Sequence, residues 1–318
     1  MAQALSPSST QTLIRACVRA ADFPLAGLSA PVALAMILRT DGPSYRPVGA
    51  LMAVAADGAY VGSLSSGCID ADVRSHALAA AAQGVVRRLR YGKGSPFFDL
   101  QLPCGGGLEI LVMPPPDAGL CRRITQALAQ RRRIWLLISQ DGLELCEHPD
   151  AVRHPGPEIW AVLQIDPDPR FLVFGKGPEA AAFAAMTAAS GYDTQLAAPD
   201  VETLEAARRQ SPALHAQSWP GVFPEMDEQT AIVLFFHEHE REAEILVRAL
   251  RGPAFYIGAQ GSQRTQARRQ ETLRALGMTQ AQTARVRGPI GLIPSSRDAR
   301  TLAVSVLAEI LAEAVAPG

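Results

Sequence analysis

Residues 170–191, RFLVFGKGPEAAAFAAMTAASG, decide how the second half of this chain folds. The apolar run at residues 170–174 predicts a buried strand, and the alanine-rich run after the glycine turn predicts a helix that ends at Gly191. Residues 193–198 predict the next strand, which completes a βαβ unit of about 30 residues. Parallel strands joined by such helices form doubly wound sheets.

Two further strands are predicted to extend this sheet. Residues 231–236, AIVLFF, and residues 254–258, AFYIG, are short apolar runs, and each is followed by a helix-like segment. Residues 301–314 predict a terminal helix. The alternation of strands and helices predicts an α/β fold with a Rossmann-like C-terminal domain over residues 169–318.

The first third of the chain shows a different pattern, in which short strands are separated by turns. Strands are predicted at residues 31–39, 50–55, 60–63, 85–91 and 108–113. Helices are predicted over residues 10–21 and over the alanine-rich residues 69–83. The proline run at residues 114–116 marks the end of this part. We therefore predict an N-terminal α+β domain over residues 1–118.

Residues 119–168 are predicted to connect the two domains. They contain a short helix at residues 121–130 and strands at residues 134–139 and 159–165. These elements either finish the first domain or bridge to the second, and the sequence leaves both arrangements open.

Composition and charge exclude several classes of function. The chain has 318 residues, of which 48% are hydrophobic, and a formal net charge of −1. A net charge this close to zero gives no positive electrostatic field that would attract nucleic acid or an anionic membrane, so neither is an expected partner. The longest apolar runs are far shorter than the roughly 20 residues that span a bilayer. The five scattered cysteines, without a CxxC pair, favour a reducing, cytoplasmic compartment.

Two cysteines of the N-terminal domain lie on glycine-bearing loops. Cys68 directly precedes the predicted helix, a position that favours the thiolate. Cys104 is followed by three glycines whose amides can nest an anion. Two such thiols suit a soft metal or sulfur chemistry. The remaining cysteines, Cys17, Cys121 and Cys146, are expected to be core residues because they lie in helix-like or strand-like patterns.

Other residues of these loops are candidates for holding an anionic ligand. Arg46 lies on a third loop rich in Gly, Pro and Ser, where its positive charge adds to the predicted site. The candidates on the two cysteine loops are Ser66, Gly67, Gly105, Gly106 and Gly107.

The turn GKGPEA at residues 175–180 resembles part of a dinucleotide-binding fingerprint. Gly175 permits a tight turn, and Gly177 lets a phosphate approach the start of the helix. Asp200, after the next strand, is placed to bind a ribose hydroxyl. The strand-turn-helix context favours phosphate or nucleotide binding over a glycine turn that only packs the helix on the strand, although Glu179 weakens the nucleotide interpretation because it would face the phosphates.

Two more turns at predicted strand ends carry candidate ligand-binding residues. Gly261, Ser262 and Arg264 open a basic helix, which is either an anion site or a solvated helical face. His237 follows a buried strand in the sequence HEHE, which is most simply a polar loop at the edge of the sheet. A role of His237 in hydrogen bonding or proton transfer comes next, and metal binding is the least favoured because no third ligand is evident.

Four segments together carry a family resemblance. In chain order they are TDGPSYRPVGALM (40–52), VGSLSSGCIDADV (61–73), LPCGGGLEILV (102–112) and PAFYIGAQGSQRT (253–265). They resemble the XdhC/CoxI family of xanthine dehydrogenase accessory factors, and the resemblance covers nearly the whole chain.

This resemblance implies a chaperone of the molybdenum cofactor (molybdopterin). Such a protein would protect the cofactor while a cysteine desulfurase partner supplies sulfur, and would assist its insertion into a xanthine-dehydrogenase-type apoenzyme. Cys68 and Cys104 would then contact molybdenum or sulfur, and a homodimer is expected. A maturation factor is favoured over a turnover enzyme. The alternative is an NAD(P)-dependent oxidoreductase, with a nucleotide or NAD(P) bound in the Rossmann-like domain.

Overall fold

The computed structural model describes two compact units, one ending at Pro167 and one beginning at Asp168. The described residues are 13–27, 31–65, 67–93, 105–115, 117–146, 153, 156, 159–236 and 241–315. The segment 119–167 lies in the first unit, because its strands join a sheet with residues near the N-terminus.

The described residues of the first unit form two sheets. The strands are β1 (Ile14–Arg19), β2 (Pro31–Asp41), β3 (Leu51–Ala55), β4 (Tyr60–Gly62), β5 (Arg87–Gly92), β6 (Gly107–Met113), β7 (Ile134–Ser139), β8 (Gly142–Cys146) and β9 (Ala161–Asp166). The helices are α1 (Gly67–Gln83) and α2 (Ala118–Ala129). One sheet is antiparallel, in the order β4-β3-β2-β6-β5, and the other has the order β1-β9-β7-β8.

The central strand β2 is buried on both faces. Leu34 and Met36 face a core shared with α2 and the β1-β9-β7-β8 sheet. Ala35 and Ile37 face a second core, which α1 covers. The sequence shows a continuous apolar run here because alternate side chains of a strand point to opposite faces, and both faces are packed.

The prediction of a helix over residues 10–21 is wrong for the described part of that segment, which begins at residue 13. Ile14–Arg19 is a strand that pairs in parallel with Ala161–Asp166. Its exposure alternates along the strand, which is the pattern of a sheet and not of a helix. The partner strand lies far along the chain, so the local sequence does not reveal the pairing.

The described strands of the second unit form one parallel sheet. They are β10 (Arg170–Gly175), β11 (Asp193–Ala198), β12 (His215–Ser218), β13 (Thr230–Phe235), β14 (Tyr256–Ala259) and β15 (Val286–Arg287). Their order is β12-β11-β10-β13-β14-β15, which places a topological switch point between β10 and β13. In sheets of this kind ligands bind at the carboxyl ends of the strands at such a point.

Helices cover both faces of this sheet. They are α3 (Pro178–Ala189), α4 (Val201–Gln210), α5 (Glu242–Arg251), α6 (Gln263–Ala275), α7 (Gln280–Ala284) and α8 (Ala299–Val315). One core joins the sheet to α3, α4 and α8, and the other joins it to α5 and α6. The α/β fold class and the Rossmann-like arrangement predicted from sequence are therefore confirmed.

Within the described ranges, every helix is too short or too polar to serve as a membrane span.

Candidate functional site

Three loops of the first unit leave the same end of the five-stranded sheet. Asp41, at the end of β2, pairs with Gly107 at the start of β6, and Gly107 pairs with Gly92 at the end of β5. Met52, near the start of β3, pairs with Gly62 at the end of β4. We call this edge the loop end. It comprises the described parts of residues 42–50, 63–68 and 93–107.

Cys68 lies exposed on the first turn of α1 at the loop end. The loop before it is held by the buried carboxylate of Asp70, which accepts hydrogen bonds from the Ser63 hydroxyl (2.6 Å) and from the amides of Leu64 and Ser65 (both 3.0 Å). Asp70 lies in the first turn of α1, where an acid suits the helix dipole, and its carboxylate also fixes the shape of the loop. The Cys68 thiol forms no hydrogen bond with the described residues and is accessible to a ligand.

The glycine loop packs tightly against the loop that follows β2. A Cβ atom on Gly106 would lie 2.6 Å from the Asp41 carbonyl oxygen and 3.0 Å from that of Pro43. A Cβ on Gly107 would lie 3.0 Å from the Arg90 Nη2 atom. Gly106 and Gly107 are buried, whereas Gly105 is exposed and has φ +68°. Glycine is required here because backbones approach closely, and the amide nest predicted from the sequence stays a prediction.

Hydrogen bonds between the strand ends fix this packing. The Arg90 guanidinium pairs with the Asp41 carboxylate and donates through Nε to the Lys93 carbonyl at 3.0 Å. The Lys93 amide donates to the Gly106 carbonyl, also at 3.0 Å. The ends of β2, β5 and β6 are thereby tied together.

Arg46 already has a carboxylate partner. Its Nη2 atom lies 2.9 Å from the Asp22 Oδ1 atom. The positive charge predicted for an anion site is therefore partly compensated within the chain. Asp22 comes from a short 3₁₀ turn after β1, so the pairing could not be inferred from the neighbouring sequence.

Three residues singled out in the sequence lie outside the described residues. They are Ser66, Cys104 and His237. The prediction that three further cysteines are core residues is wrong for Cys17, which is exposed. Cys121 and Cys146 are half-buried, and Cys121 packs against a hydrophobic core of the first unit.

Cys17 is held in its neutral form by its surroundings. Its Sγ atom donates to the Asp166 Oδ2 atom at 3.4 Å. Partial burial of the thiol and the adjacent carboxylate raise the pKa of Cys17 from 9.0 to about 11. Because the thiolate is the nucleophilic and metal-binding form, this cysteine is poorly suited to either role.

A cavity of about 350 Å³ lies at the switch point of the second unit. We call it the strand-end pocket. It is lined by Lys176, Gly177, Pro178, Pro199, Asp200, Phe236 and Arg241. Its volume is at the lower end of the range typical of small-molecule sites, about 300–1,000 Å³.

The two glycines of the predicted fingerprint turn have different roles in the fold. A Cβ on Gly175 would lie 2.6 Å from the Phe235 carbonyl oxygen and 3.0 Å from the Ala180 Cβ, so this glycine allows α3 and β13 to pack closely. Gly177 has φ +92° and is the N-cap of α3. Its amide donates to the Thr203 hydroxyl at 2.8 Å.

Asp200 is engaged at the start of α4. As the N-cap it accepts from the Thr203 amide at 2.8 Å, and the Thr203 hydroxyl lies 2.8 and 3.0 Å from its two carboxylate oxygens. The predicted contact of Asp200 with a ribose therefore competes with these bonds. Thr203 is not evident as a ligand-site residue from the sequence, although Asp200 directly before a helical segment is a usual N-cap residue.

The second glycine turn is a helix cap backed by a buried ion pair. Ser262 caps α6 by accepting from the Thr265 amide at 3.1 Å, and Gly261 has φ +146°. Arg264 is exposed. Arg269, on the same helix, is buried and contacts Glu242 at 2.9 Å. The alternative of a wholly solvated basic face is therefore wrong for Arg269.

Arg269 links several elements of the second unit. Besides Glu242, its guanidinium donates to the Gln266 Oε1 atom at 2.6 Å and to the Gln260 carbonyl at 2.9 Å. Gln266 in turn donates to the Val286 carbonyl at 2.6 Å. The network holds the turn before α6 to α5 and β15.

Comparison with known proteins decides the family. Residues 28–92 match the XdhC and CoxI family, and residues 171–310 match the XdhC Rossmann domain. Over 308 residues the chain is 33% identical to the molybdenum cofactor insertion chaperone PaoD of Escherichia coli strain K12, which covers 97% of this chain and 90% of that protein. The chain belongs to the XdhC/CoxI family. The resemblance predicted from sequence is confirmed.

A solved structure supports the XdhC-type fold. A protein from Bacillus halodurans described as a xanthine dehydrogenase superposes with a TM-score of 0.69, covering 91% of this chain and 93% of that chain. The sequence identity is 21%, which establishes a shared fold. The described residues of this XdhC/CoxI protein contain no cluster of three or more His, Cys, Asp or Glu side chains arranged to hold a metal ion.

Proposed function

We propose that this protein is a chaperone that binds the molybdenum cofactor and assists its insertion into a molybdenum enzyme. The observation that carries the proposal is the similarity to a molybdenum cofactor insertion chaperone along 97% of the chain. Similarity over both units supports a shared role better than similarity of the Rossmann-like domain alone would, because that fold serves many functions.

The loop end has the chemistry that such a cargo requires. The exposed Cys68 thiol can ligate a soft metal or exchange sulfur as the thiolate. The first-turn amides of α1 and the exposed Gly105 can donate to anionic groups of the pterin phosphate. Cys104 is proposed as the second sulfur ligand. Gly106 and Gly107 are proposed to shape the loop, since their lack of side chains is used in packing.

The finer parts of the proposal concern partners. We propose that the client is a xanthine-dehydrogenase-type apoenzyme and that a cysteine desulfurase supplies the terminal sulfido ligand while the cofactor is bound. A homodimer acting in the cytoplasm is part of the same proposal. An exposed thiol beside glycine loops is suited to sulfur transfer because a sulfur-carrying partner can reach it.

An NAD(P)-dependent oxidoreductase remains the alternative function. It would need a dinucleotide at the turn between β10 and α3, with its pyrophosphate on the start of the helix. The amide of Gly177 already donates to Thr203, and residue 178 is a proline, so this alternative receives less support than the chaperone proposal.

Cofactor binding under anaerobic conditions tests the proposed function. The purified protein should bind molybdopterin cofactor, and Cys68→Ser and Cys104→Ser should each weaken binding by at least about tenfold, the loss expected when one good metal or charged contact is removed. Cys17→Ser is the matched control, because Cys17 is also an exposed cysteine of the first unit but is bonded to Asp166.

The outcomes separate the candidate roles. Full binding by both loop variants would contradict the role of these thiols and favour a scaffold that only joins client and desulfurase. No binding of cofactor by the wild type, together with binding of NAD(P), would favour the oxidoreductase.

A further inference from the structure

The turn between β10 and α3 has two glycines of a dinucleotide-binding fingerprint, Gly175 and Gly177, but lacks two of the amide donors nearest the phosphate position. A pyrophosphate at such a turn is held by backbone amides at the start of the helix. Here the first helical residue is Pro178, which has no amide hydrogen. The amide of Gly177 donates to the Thr203 hydroxyl at 2.8 Å. Two of the donors nearest a phosphate are therefore absent or already engaged.

Carboxylates flank the same turn. Glu179 lies in the first turn of α3, and its Oε2 atom is 3.5 Å from the position that a Cβ on Gly177 would occupy. The carboxylate of Asp200 lies within 3.0 Å of the Thr203 hydroxyl, on the other side of the bonded amide. A pyrophosphate here would meet two like charges in a partly enclosed site, where repulsion is stronger than in water.

Two cations lie at the edge of the pocket, but they do not restore the missing amides. Lys176 and Arg241 both line the cavity, and both residues are exposed. Exposed side chains of this length attract an anionic group weakly and in no fixed direction. These two side chains can contact one terminal anionic group at the opening of the pocket, but they do not replace the backbone amides that would hold a pyrophosphate at the turn.

We propose that the strand-end pocket excludes the pyrophosphate of a dinucleotide, so that this unit keeps the Rossmann-like fold without the ligand that the fold usually takes. The Thr203 hydroxyl already accepts the hydrogen bond of the Gly177 amide, which a phosphate would otherwise use. Pro178 removes a second amide donor, and Glu179 adds a negative charge. The inference concerns the second unit alone and does not depend on the proposed cofactor role of the loop end.

Binding of ADP, AMP and NAD⁺ tests the proposal in the full-length protein, by calorimetry or ligand-observed NMR at millimolar ligand. AMP serves as the matched ligand, because it differs from ADP only in lacking the second phosphate. In the wild type, ADP and NAD⁺ should bind no tighter than AMP. In Pro178→Ala/Glu179→Ala, which regains one amide and loses one carboxylate, ADP should bind at least about tenfold tighter than in the wild type.

Glu202→Ala is the control variant. Glu202 is an exposed acid in the first turn of the neighbouring helix α4, so its removal changes the net charge equally without opening the turn. It should leave ADP binding as in the wild type. Melting temperatures close to that of the wild type show that each variant is folded.

Two results would overturn the proposal. Wild-type protein that binds ADP or NAD⁺ tenfold tighter than AMP would show that the turn accepts a pyrophosphate. A double variant whose ADP binding equals that of the wild type would show that Pro178 and Glu179 are not the cause of exclusion. Protection of the Gly177 amide from hydrogen exchange, unchanged by ADP, is the additional result expected if Thr203 keeps that donor.

Discussion

The loop end of the first unit and the strand-end pocket of the second are both built on glycine-rich turns, but glycine serves each differently. At the loop end, Gly106 and Gly107 bring two loops into contact, and an exposed thiol stays free on the neighbouring helix. In the strand-end pocket, Gly175 packs a helix on a strand, and the amide of Gly177 is bonded within the protein.

This difference shows what a glycine motif can and cannot predict. Glycine spacing predicts where a backbone comes close to something, because only glycine leaves the space. It does not predict whether the neighbour is a ligand or the protein itself. At both turns the neighbour lies far along the chain: Gly106 packs against the carbonyl oxygens of Asp41 and Pro43, and the Gly177 amide binds Thr203, 26 residues later.

The largest effect is expected from breaking the buried ion pair that supports the second unit. Glu242→Gln should lower the free energy of unfolding by about 3–5 kcal/mol, because the Arg269 charge would remain buried with only neutral acceptors. Urea unfolding measures the loss, and hydrogen exchange should localise it to α5, α6 and the turn between β14 and α6.

The matched control for this pair is Glu244→Gln on the same helix. Glu244 contacts Arg248 at 2.9 Å, but both side chains are about half exposed or more. The change should cost no more than about 0.5 kcal/mol. Equal losses in the two variants would contradict the distinction between a buried and a solvated pair.

Cys17 and Cys68, the exposed cysteines among the residues that the structure describes, should differ in reactivity. With a pKa of about 11, Cys17 should have a thiolate fraction about 100-fold lower at neutral pH than a thiol of pKa 9.0. The more basic thiolate is about tenfold more nucleophilic, so alkylation of Cys17 should be about tenfold slower, and its rate should rise until the pH passes about 11. Mass spectrometry of iodoacetamide-treated protein should find Cys68 labelled first. Asp166→Asn should speed labelling of Cys17. Labelling of Cys17 ahead of Cys68 would be inconsistent with the bonded thiol.

Replacing single glycines of the loop end with alanine should lower the free energy of unfolding by different amounts. Gly106→Ala should lower the free energy of unfolding of the first unit by about 1–3 kcal/mol, because its Cβ would lie 2.6 Å from the Asp41 carbonyl oxygen. Gly105→Ala has open space around it and only a positive φ, so about 1 kcal/mol is expected. Thermal unfolding compares the two, and a smaller loss for Gly106→Ala would mean that the loops do not pack as described.

The smallest effect is expected at Asp200. Asp200→Ala should cost about 0.5–2 kcal/mol through loss of the α4 N-cap, whereas Asp200→Asn keeps an acceptor and should cost less. Because the Asp200 carboxylate also repels a pyrophosphate at the turn, neither change should weaken the binding of ADP. Weakened ADP binding in Asp200→Asn at unchanged stability would instead support the ribose contact predicted from the sequence.

Elements with strong local signals were predicted well. Strand β11 and strand β7 have the predicted bounds, and β2 and α1 differ only at their ends. Each combines an apolar pattern with clear turn residues. The polar strand β12 was missed because its edge position leaves it largely solvated and without an apolar pattern.

Side-chain pairings between distant elements could not be predicted. The pairs Arg269–Glu242 and Arg46–Asp22 join residues from different elements, and a basic helix gives no sign of which arginine turns inward. The sequence did identify Cys68 and the loop that carries it, and the structure shows that residue exposed at the loop end. Its role in holding the cofactor stays a prediction.

The parallel pairing of β1 with β9 has a consequence for synthesis of the chain. Ile14 lies opposite Ala161, so the partner of the first strand emerges from the ribosome only after most of the first unit has been made. At about 5–20 residues per second this delay is on the order of 10 s. During that time the antiparallel sheet can form locally, while β1 must wait without its neighbour. Strand β1 is therefore translated before its partner but is among the last described strands of the first unit to find its place.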